Sequence, residues 1–244
     1  VTIGNAAVWW ALLDFPARRR WERVMQKNAE SMRKKPQQSR AQQTLDDIFE
    51  ATARIFEAGP PAPLNTNKVA ERAGVSIGTL YYYFPNKQSL LRAMALREIK
   101  RQEARFLACI AAARPLGTDA VVRAVVREAM APLNGRKEVR RYLMVQVGLE
   151  PAVHQSLYQA LNRVTDRLLE AVDIDPASLS PERHFLLLRS MLGPVRAAAL
   201  NVPEMLVSPA FETELVKQLT AQLVSLRNDA SSDRDDERPE GKRR

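Results

Sequence analysis

The strongest constraint on this chain is how often it marks the start of a helix. Asn65 in NTNK, Asn86 in PNKQSLL, Ser180 in SPER and Ser208 in SPAF each stand just before a run with helical apolar spacing. A side-chain oxygen at that position accepts from the first unpaired backbone N–H groups of a helix. In the two serine starts a proline follows at once, where its missing N–H costs nothing. Ser39 with Gln42 forms an S-x-x-Q capping box, and Leu45, Ile48, Phe49, Thr52, Ile55 and Phe56 follow it at helical spacing until GPPAP at 59–63. The same reading predicts a helix from Asn86 to about 113, and one from Thr118 to about 133. It predicts two more over about 137–149 and from Pro151 to about 172. No stretch alternates apolar and polar residues as a half-buried strand would, so the expected fold class is all-α.

Composition narrows the function classes. The single cysteine, Cys109, excludes an intramolecular disulfide framework and is expected in the core. No apolar run approaches the roughly 18–20 residues of a membrane-spanning helix, so no membrane partner and a cytoplasmic, nucleoid-associated location are expected. Two histidines and one cysteine leave no metal-ligand spacing. No glycine-rich phosphate loop and no nucleophile elbow occur either. The expectation is a binding protein rather than an enzyme, with no cofactor, no catalytic residue and no metal.

The net charge of +9 is concentrated at one end. Residues 1–39 hold eight Lys/Arg against three Asp/Glu, whereas residues 40–87 hold five of each. Residues 1–38 are read as a basic extension lacking persistent order, with Met25 and Met32 as possible internal starts. Its positive charges follow the apolar stretch instead of preceding it, which is the wrong order for a secretory signal. A basic arm fits a polyanionic partner. Residues 229–244, with the run SSDRDDERPEGKRR, are read as a charged disordered tail.

Between these ends lies NKVAERAGVSIGTLYYYF, two short helices around Gly74, with the length and turn of a helix-turn-helix. In such a unit the second helix enters the major groove of double-stranded DNA. On a helical wheel Leu80 and Phe84 point into the core. Gly78 and Tyr82 then face outward, flanked by Thr79 and Tyr81, while Tyr83 falls beside the core face. Small residues allow close approach, and tyrosines offer both hydroxyls for phosphates and rings for thymine methyls. Lys87 opens the next helix as a point charge for the backbone.

The segment from about Arg40 to Met94, above all TNKVAERAGVSIGTLYYYFPNKQSLL, closely resembles the DNA-binding domain of the TetR family of transcriptional regulators. The resemblance implies a three-helix helix-turn-helix domain, here 39–94, followed by a larger helical ligand-binding and dimerisation domain, here 95–228. It implies a homodimer on operator DNA, a repressor released by a small inducer. The alternative on the same fold is a ligand-independent architectural or cell-division protein. Carried over by position, the motif implies DNA contacts at Thr66, Asn67, Ile77, Thr79, Tyr81, Tyr83 and Lys87. Geometry adds Gly78 and Tyr82.

The C-terminal half is less explicit. Phe211, Leu215, Val216, Leu219, Leu223 and Leu226 share one face of the last helix. The preceding helix, ERHFLLLRSMLGPVRAAAL, is apolar nearly all round. The pair is expected to be an association surface centred on Phe185, Leu192, Phe211, Leu215, Leu219 and Leu223. In the resembled family it makes a four-helix contact with its symmetry mate. Polar groups on otherwise apolar faces, His154, Tyr158 and Arg189 (with Thr165 and Arg196 beside them), are the candidates for contact with an apolar or amphipathic inducer.

Overall fold

The computed structural model describes residues 35–58, 64–131, 139 and 150–236, with side chains from 40 to 58, 64 to 131, at 139, and from 150 to 228. Most of the basic extension, the GPPAP stop, the expected helix over 137–149 and the final residues from 237 lie outside these. Among the described residues there are eight α-helices and no strand. In chain order these are α1 (Lys35–Glu57), α2 (Thr66–Arg72), α3 (Ile77–Tyr83) and α4 (Lys87–Ala113), then α5 (Thr118–Met130), α6 (Pro151–Ala171), α7 (Pro181–Asn201) and α8 (Pro209–Asp236). The all-α expectation holds. The chain divides into two compact units, 1–47 and 48–244, and helices α2 to α8 all belong to the second.

The helix starts follow the caps. Asn65 Oδ1 accepts from the N–H groups of Asn67 and Lys68, and Ser180 Oγ from that of Arg183. At α4 the capping is reciprocal: Asn86 Oδ1 takes the Ser89 N–H at 2.8 Å while Ser89 Oγ takes the Asn86 N–H. Two boundaries are corrections. The first helix begins at Lys35 and not at Ser39, because nothing in KPQQS opposes helix and Pro36 is tolerated in a first turn. The last helix runs on to Asp236, past the expected end at 228; no glycine or proline interrupts the chain between Pro209 and Pro239.

One hydrophobic core joins five helices. Phe106 and Ile110 of α4, Val121, Val122, Val125 and Val126 of α5, and Leu168 and Leu169 of α6 meet Leu187, Leu188 and Met191 of α7 and Leu215 and Leu219 of α8. Burial of such side chains is worth about 1.5–3 kcal/mol each, which is what assembles helices of modest intrinsic propensity. Cross-helix polar contacts fix their registry. Ser190 of α7 exchanges hydrogen bonds with Gln222 of α8, and Arg227 donates to the Val172 carbonyl at 3.0 Å. Thr165, buried completely, bonds back to the Leu161 carbonyl and is therefore a satisfied core residue.

This core corrects the expected association face. Leu215, Leu219 and Leu223 are buried inside their own chain, and Phe211 packs against the same cluster. An apolar helical stripe has the same appearance whether it faces its own bundle or a second copy, and here it faces its own. Leu192 also packs inward. Of the six residues expected at the association surface, Phe185 alone is exposed. The apolar side chains that α7 and α8 leave outside include Leu186 (56% exposed) and Val224 (52%).

Candidate nucleic-acid interface

The helix-turn-helix is built by local chemistry on a small core. Val69 and Ala70 of α2 and Leu80 of α3 are buried, with Leu64, Phe84, Leu90 and Leu91 around them, and Ile48, Ala51, Thr52 and Phe56 of α1 are buried too. The Phe84 ring sits 5.6 Å from that of Phe49, and the Arg97 guanidinium lies over the Phe49 ring at 4.8 Å. Helix α2 ends in a two-bond turn: Val75 N–H reaches back to the Ala70 carbonyl and Gly74 N–H to that of Glu71. This termination places one residue in the left-handed region, and Gly74 takes it with φ +67°. The chain then reverses within Val75 and Ser76.

Ser76 caps α3. Its Oγ accepts the Thr79 N–H at 3.0 Å and shares a hydrogen bond with the Thr79 hydroxyl at 2.8 Å. The hydroxyl of Thr79 is therefore aimed by the cap, and the side chain is half-buried. Leu80 and Phe84 point inward as the wheel expects, so the opposite face of α3 is turned out. Tyr82 is 82% exposed, Tyr81 and Ile77 are exposed, and Tyr83 is half-buried with its ring edge-on to Tyr82 at 5.3 Å. Gly78 stands one turn from Tyr82 on that outer face. A Cβ there would meet only Ser76 Oγ, at an ordinary 3.7 Å, so the fold itself does not demand a glycine.

One contact joins the two helices at the surface. The hydroxyls of Thr66 and Tyr81 are 3.1 Å apart. Sequence reasoning named both residues without relating them, because they lie fifteen positions apart. The bond ties the recognition helix to the start of α2, where Asn67 is exposed beside Thr66. Lys87 follows at the first position of α4, half-buried. Thr66, Asn67, Ile77, Gly78, Thr79, Tyr81, Tyr82, Tyr83 and Lys87 thus all belong to α2, α3 and the start of α4. The surface offers hydroxyls, aromatic rings, one amide and one cation, a set suited to phosphate positioning and base-edge contact together.

The second candidate site lies in the bundle. A cavity of about 350 Å³ opens between α4, α6 and α7, lined by Ile99, Phe106, Val153, Leu157, Val164 and Leu192 among others. Its size and apolar walls are those of small-molecule sites. Of the three expected ligand contacts, Arg189 lines it; His154 and Tyr158 do not. On α6 the lining positions 153, 157, 160, 161 and 164 cover an arc of about 100°, at 100° per residue, and His154 and Tyr158 fall about 20° and 60° beyond its edge. His154 is accordingly exposed, and Tyr158 instead stacks on the Arg189 guanidinium at 4.9 Å. Beside the cavity the Arg163 guanidinium grips Glu103, with Nη2–Oε2 at 2.9 Å, and holds its carboxyl below the usual range. Cys109 is half-buried near the core, and burial pushes its thiol up to about 11.

Among the described residues no helix is long and apolar enough to cross a membrane, and no group of three His, Cys, Asp or Glu side chains is placed to hold a metal.

Comparison with known proteins agrees with this geometry. Residues 48–94 match the family of bacterial regulatory proteins of the tetR type. An uncharacterized HTH-type transcriptional regulator of Mycobacterium tuberculosis is 27% identical over 194 residues, covering 78% of this chain and 97% of that one. The transcriptional repressor KstR of Mycolicibacterium smegmatis is 43% identical over 58 residues, 24% of this chain and 28% of KstR. The crystal structure of a tetR-family transcriptional regulator from Streptomyces coelicolor superposes with a TM-score of 0.58 at 19% identity, over 76% of this chain and 82% of that one.

Proposed function

The chain belongs to the TetR family of bacterial regulatory proteins, and we propose that it is a dimeric repressor whose grip on operator DNA is released by a small molecule in the α4–α6–α7 cavity. The observation that carries the DNA half is the outward face of α3. A helix of seven residues with a cap at each end presents a bare glycine, an aimed threonine hydroxyl and an almost fully exposed tyrosine on one side. A protein does not gain stability from exposing aromatic surface next to a helical glycine. A duplex seated there would cover both.

The release half rests on α4. Its first residue, Lys87, lies at the proposed DNA surface, and Ala95, Ile99 and Phe106 along the same helix line the cavity. Twenty-seven residues of helix span about 40 Å as one rod. Arg92 near its start is ion-paired to Glu150, the residue that leads into α6. A ligand preferring one placement of α4 against α6 shifts the recognition helix with it. It can do so only through its difference in affinity for the two placements. The cavity favours this over a ligand-independent architectural role. The dimer would be made through the outer faces of α7 and α8, around Leu186 and Val224.

The test begins with DNA flanking the protein's own gene. Footprinting should show two protected half-sites related by a dyad, separated by a whole number of helical turns. Uniform coverage along the fragment, with no preferred site, would overturn the repressor reading.

A further inference from the structure

The cavity has an electrostatic asymmetry that identifies the chemistry of its occupant. Four ionic side chains line it: Glu98, Glu103, Arg189 and Arg196. Both acids are neutralised by arginines that stand outside the lining. Arg101 Nη1 binds Glu98 at 3.2 Å, and Arg163 binds Glu103 through two nitrogens. Neither basic side chain of the lining has a carboxylate partner among the described residues.

Arg189 is held in place by neutral groups alone. Its Nη1 donates to the Phe185 carbonyl and its Nη2 to Asn162 Oδ1, each at 3.1 Å. The guanidinium lies between the Phe185 ring at 4.3 Å and the Tyr158 ring at 4.9 Å. A guanidinium has five N–H donors, so three remain after those bonds. Burial acts to lower its pKa and outweighs the opposing pull of Tyr158, yet an arginine stays charged at neutral pH. The result is a fixed, half-buried cation on the wall of an apolar space. Arg196 lies two turns further along α7, exposed at the same wall, about 10 Å on along the helix axis.

A neutral ligand would leave Arg189 without a counter-charge, and a cationic one would meet two arginines and two acids already engaged. We propose that the cavity takes an elongated apolar acid whose anionic head is bound by Arg189, with Arg196 closing over it from the mouth. The lining runs through 95–106 of α4, 153–164 of α6 and 189–199 of α7, so an aliphatic body up to about 16 Å long can lie along the three helices. The head is a carboxylate or a phosphate monoester, since the planar fork of arginine matches either. The ligand's charge is thereby added to the reading of the cavity as a ligand site, on which it rests.

The experiment is calorimetry of the full chain with decanoate, decyl phosphate, 1-decanol and decyltrimethylammonium, each below its micellar concentration. At least one of the two anions should bind one per chain, about tenfold or more tighter than 1-decanol, and the better anion identifies the head. Arg189→Gln should abolish that preference by weakening the anion far more than 1-decanol, and Arg189→Lys should restore part of it. Arg196→Gln, at an exposed position where folding is not at stake, should reduce the preference without removing it. Equal binding of anion and alcohol by the native chain would overturn the assignment of charge while leaving the cavity a ligand site. Binding of neither would overturn the ligand site and this inference with it, and footprinting of the operator is independent of both outcomes.

Discussion

The reading head at 64–94 and the helical core beyond it solve opposite problems with the same helix. In the head, α2 and α3 have seven residues each, too short to be stable alone, and bury little more than one side of each. Their definition comes from caps at Asn65 and Ser76, the Gly74 turn and a few buried side chains. What they leave outside is polar, aromatic and aimed. In the core, α4 to α8 are long, and definition comes from faces that meet across large sequence distances. The head is therefore specified locally and the core collectively. Substitutions should separate the two accordingly.

The largest effect should come from the core. Leu219 is completely buried within its own chain, so Leu219→Ala should lower unfolding free energy by about 2–5 kcal/mol, through lost transfer energy and the cavity left behind. Urea denaturation measures this directly. Were Leu219 part of an interface between copies, the same change would weaken dimerisation with little loss in the stability of each subunit, and the contrast between head and core would fail.

Next in size is association. Glutamates at both Leu186 and Val224 place charge on the outer faces of α7 and α8, where each native side chain is more than half exposed. The double variant should be monomeric by sedimentation and keep its subunit fold, while operator affinity falls because the two half-sites are no longer bound as one. A double variant that remains dimeric would move the interface to another face.

Within the head the effects are smaller and differ in kind. Tyr82→Ala should leave stability nearly unchanged, since the side chain is 82% exposed, yet cost about 1–3 kcal/mol of discrimination between operator and random DNA. Lys87→Ala should weaken both kinds of DNA almost equally and lower the salt slope by about 1, the signature of one lost phosphate contact. An unchanged slope with relaxed specificity would reverse these two roles.

The same contrast explains which features were legible in sequence. A cap acts over three residues, so Asn65, Asn86, Ser180 and Ser208 could be read one at a time, and the structure has them capping. The inward pair Leu80 and Phe84 was legible too, because a four-residue spacing fixes a shared face. Leu215, Leu219 and Leu223 were correctly placed on one stripe, but a stripe does not say what it packs against. His154 and Tyr158 missed the cavity for a related reason: the wheel orders positions around α6 without showing where α4 and α7 lie. The Thr66–Tyr81 bond joins residues whose closeness only the folded turn creates. Ser39 misled because a capping box is also a tolerable sequence within a helix that has already begun.

The smallest effect gives the sharpest separation, and it concerns two glycines four residues apart. Gly74 needs its φ of +67°, so Gly74→Ala forces a side chain into the left-handed region and should destabilise the chain by about 1 kcal/mol. Gly78 is helical, and a methyl group there meets nothing closer than 3.7 Å. Alanine is the better helix former by about 0.5–1 kcal/mol, so Gly78→Ala should leave stability unchanged or raise it, by up to about 2 °C in Tm for a chain of this length. If the outer face of α3 lies against a duplex, that methyl occupies space the DNA needs, and operator affinity should fall although the protein is no less stable. Gly74→Ala should reduce affinity only in proportion to the protein it unfolds. Melting curves and operator titrations on the two variants, run at one salt concentration, give four numbers. Full operator affinity in the Gly78→Ala protein would show that the open space above that glycine is not where the DNA sits.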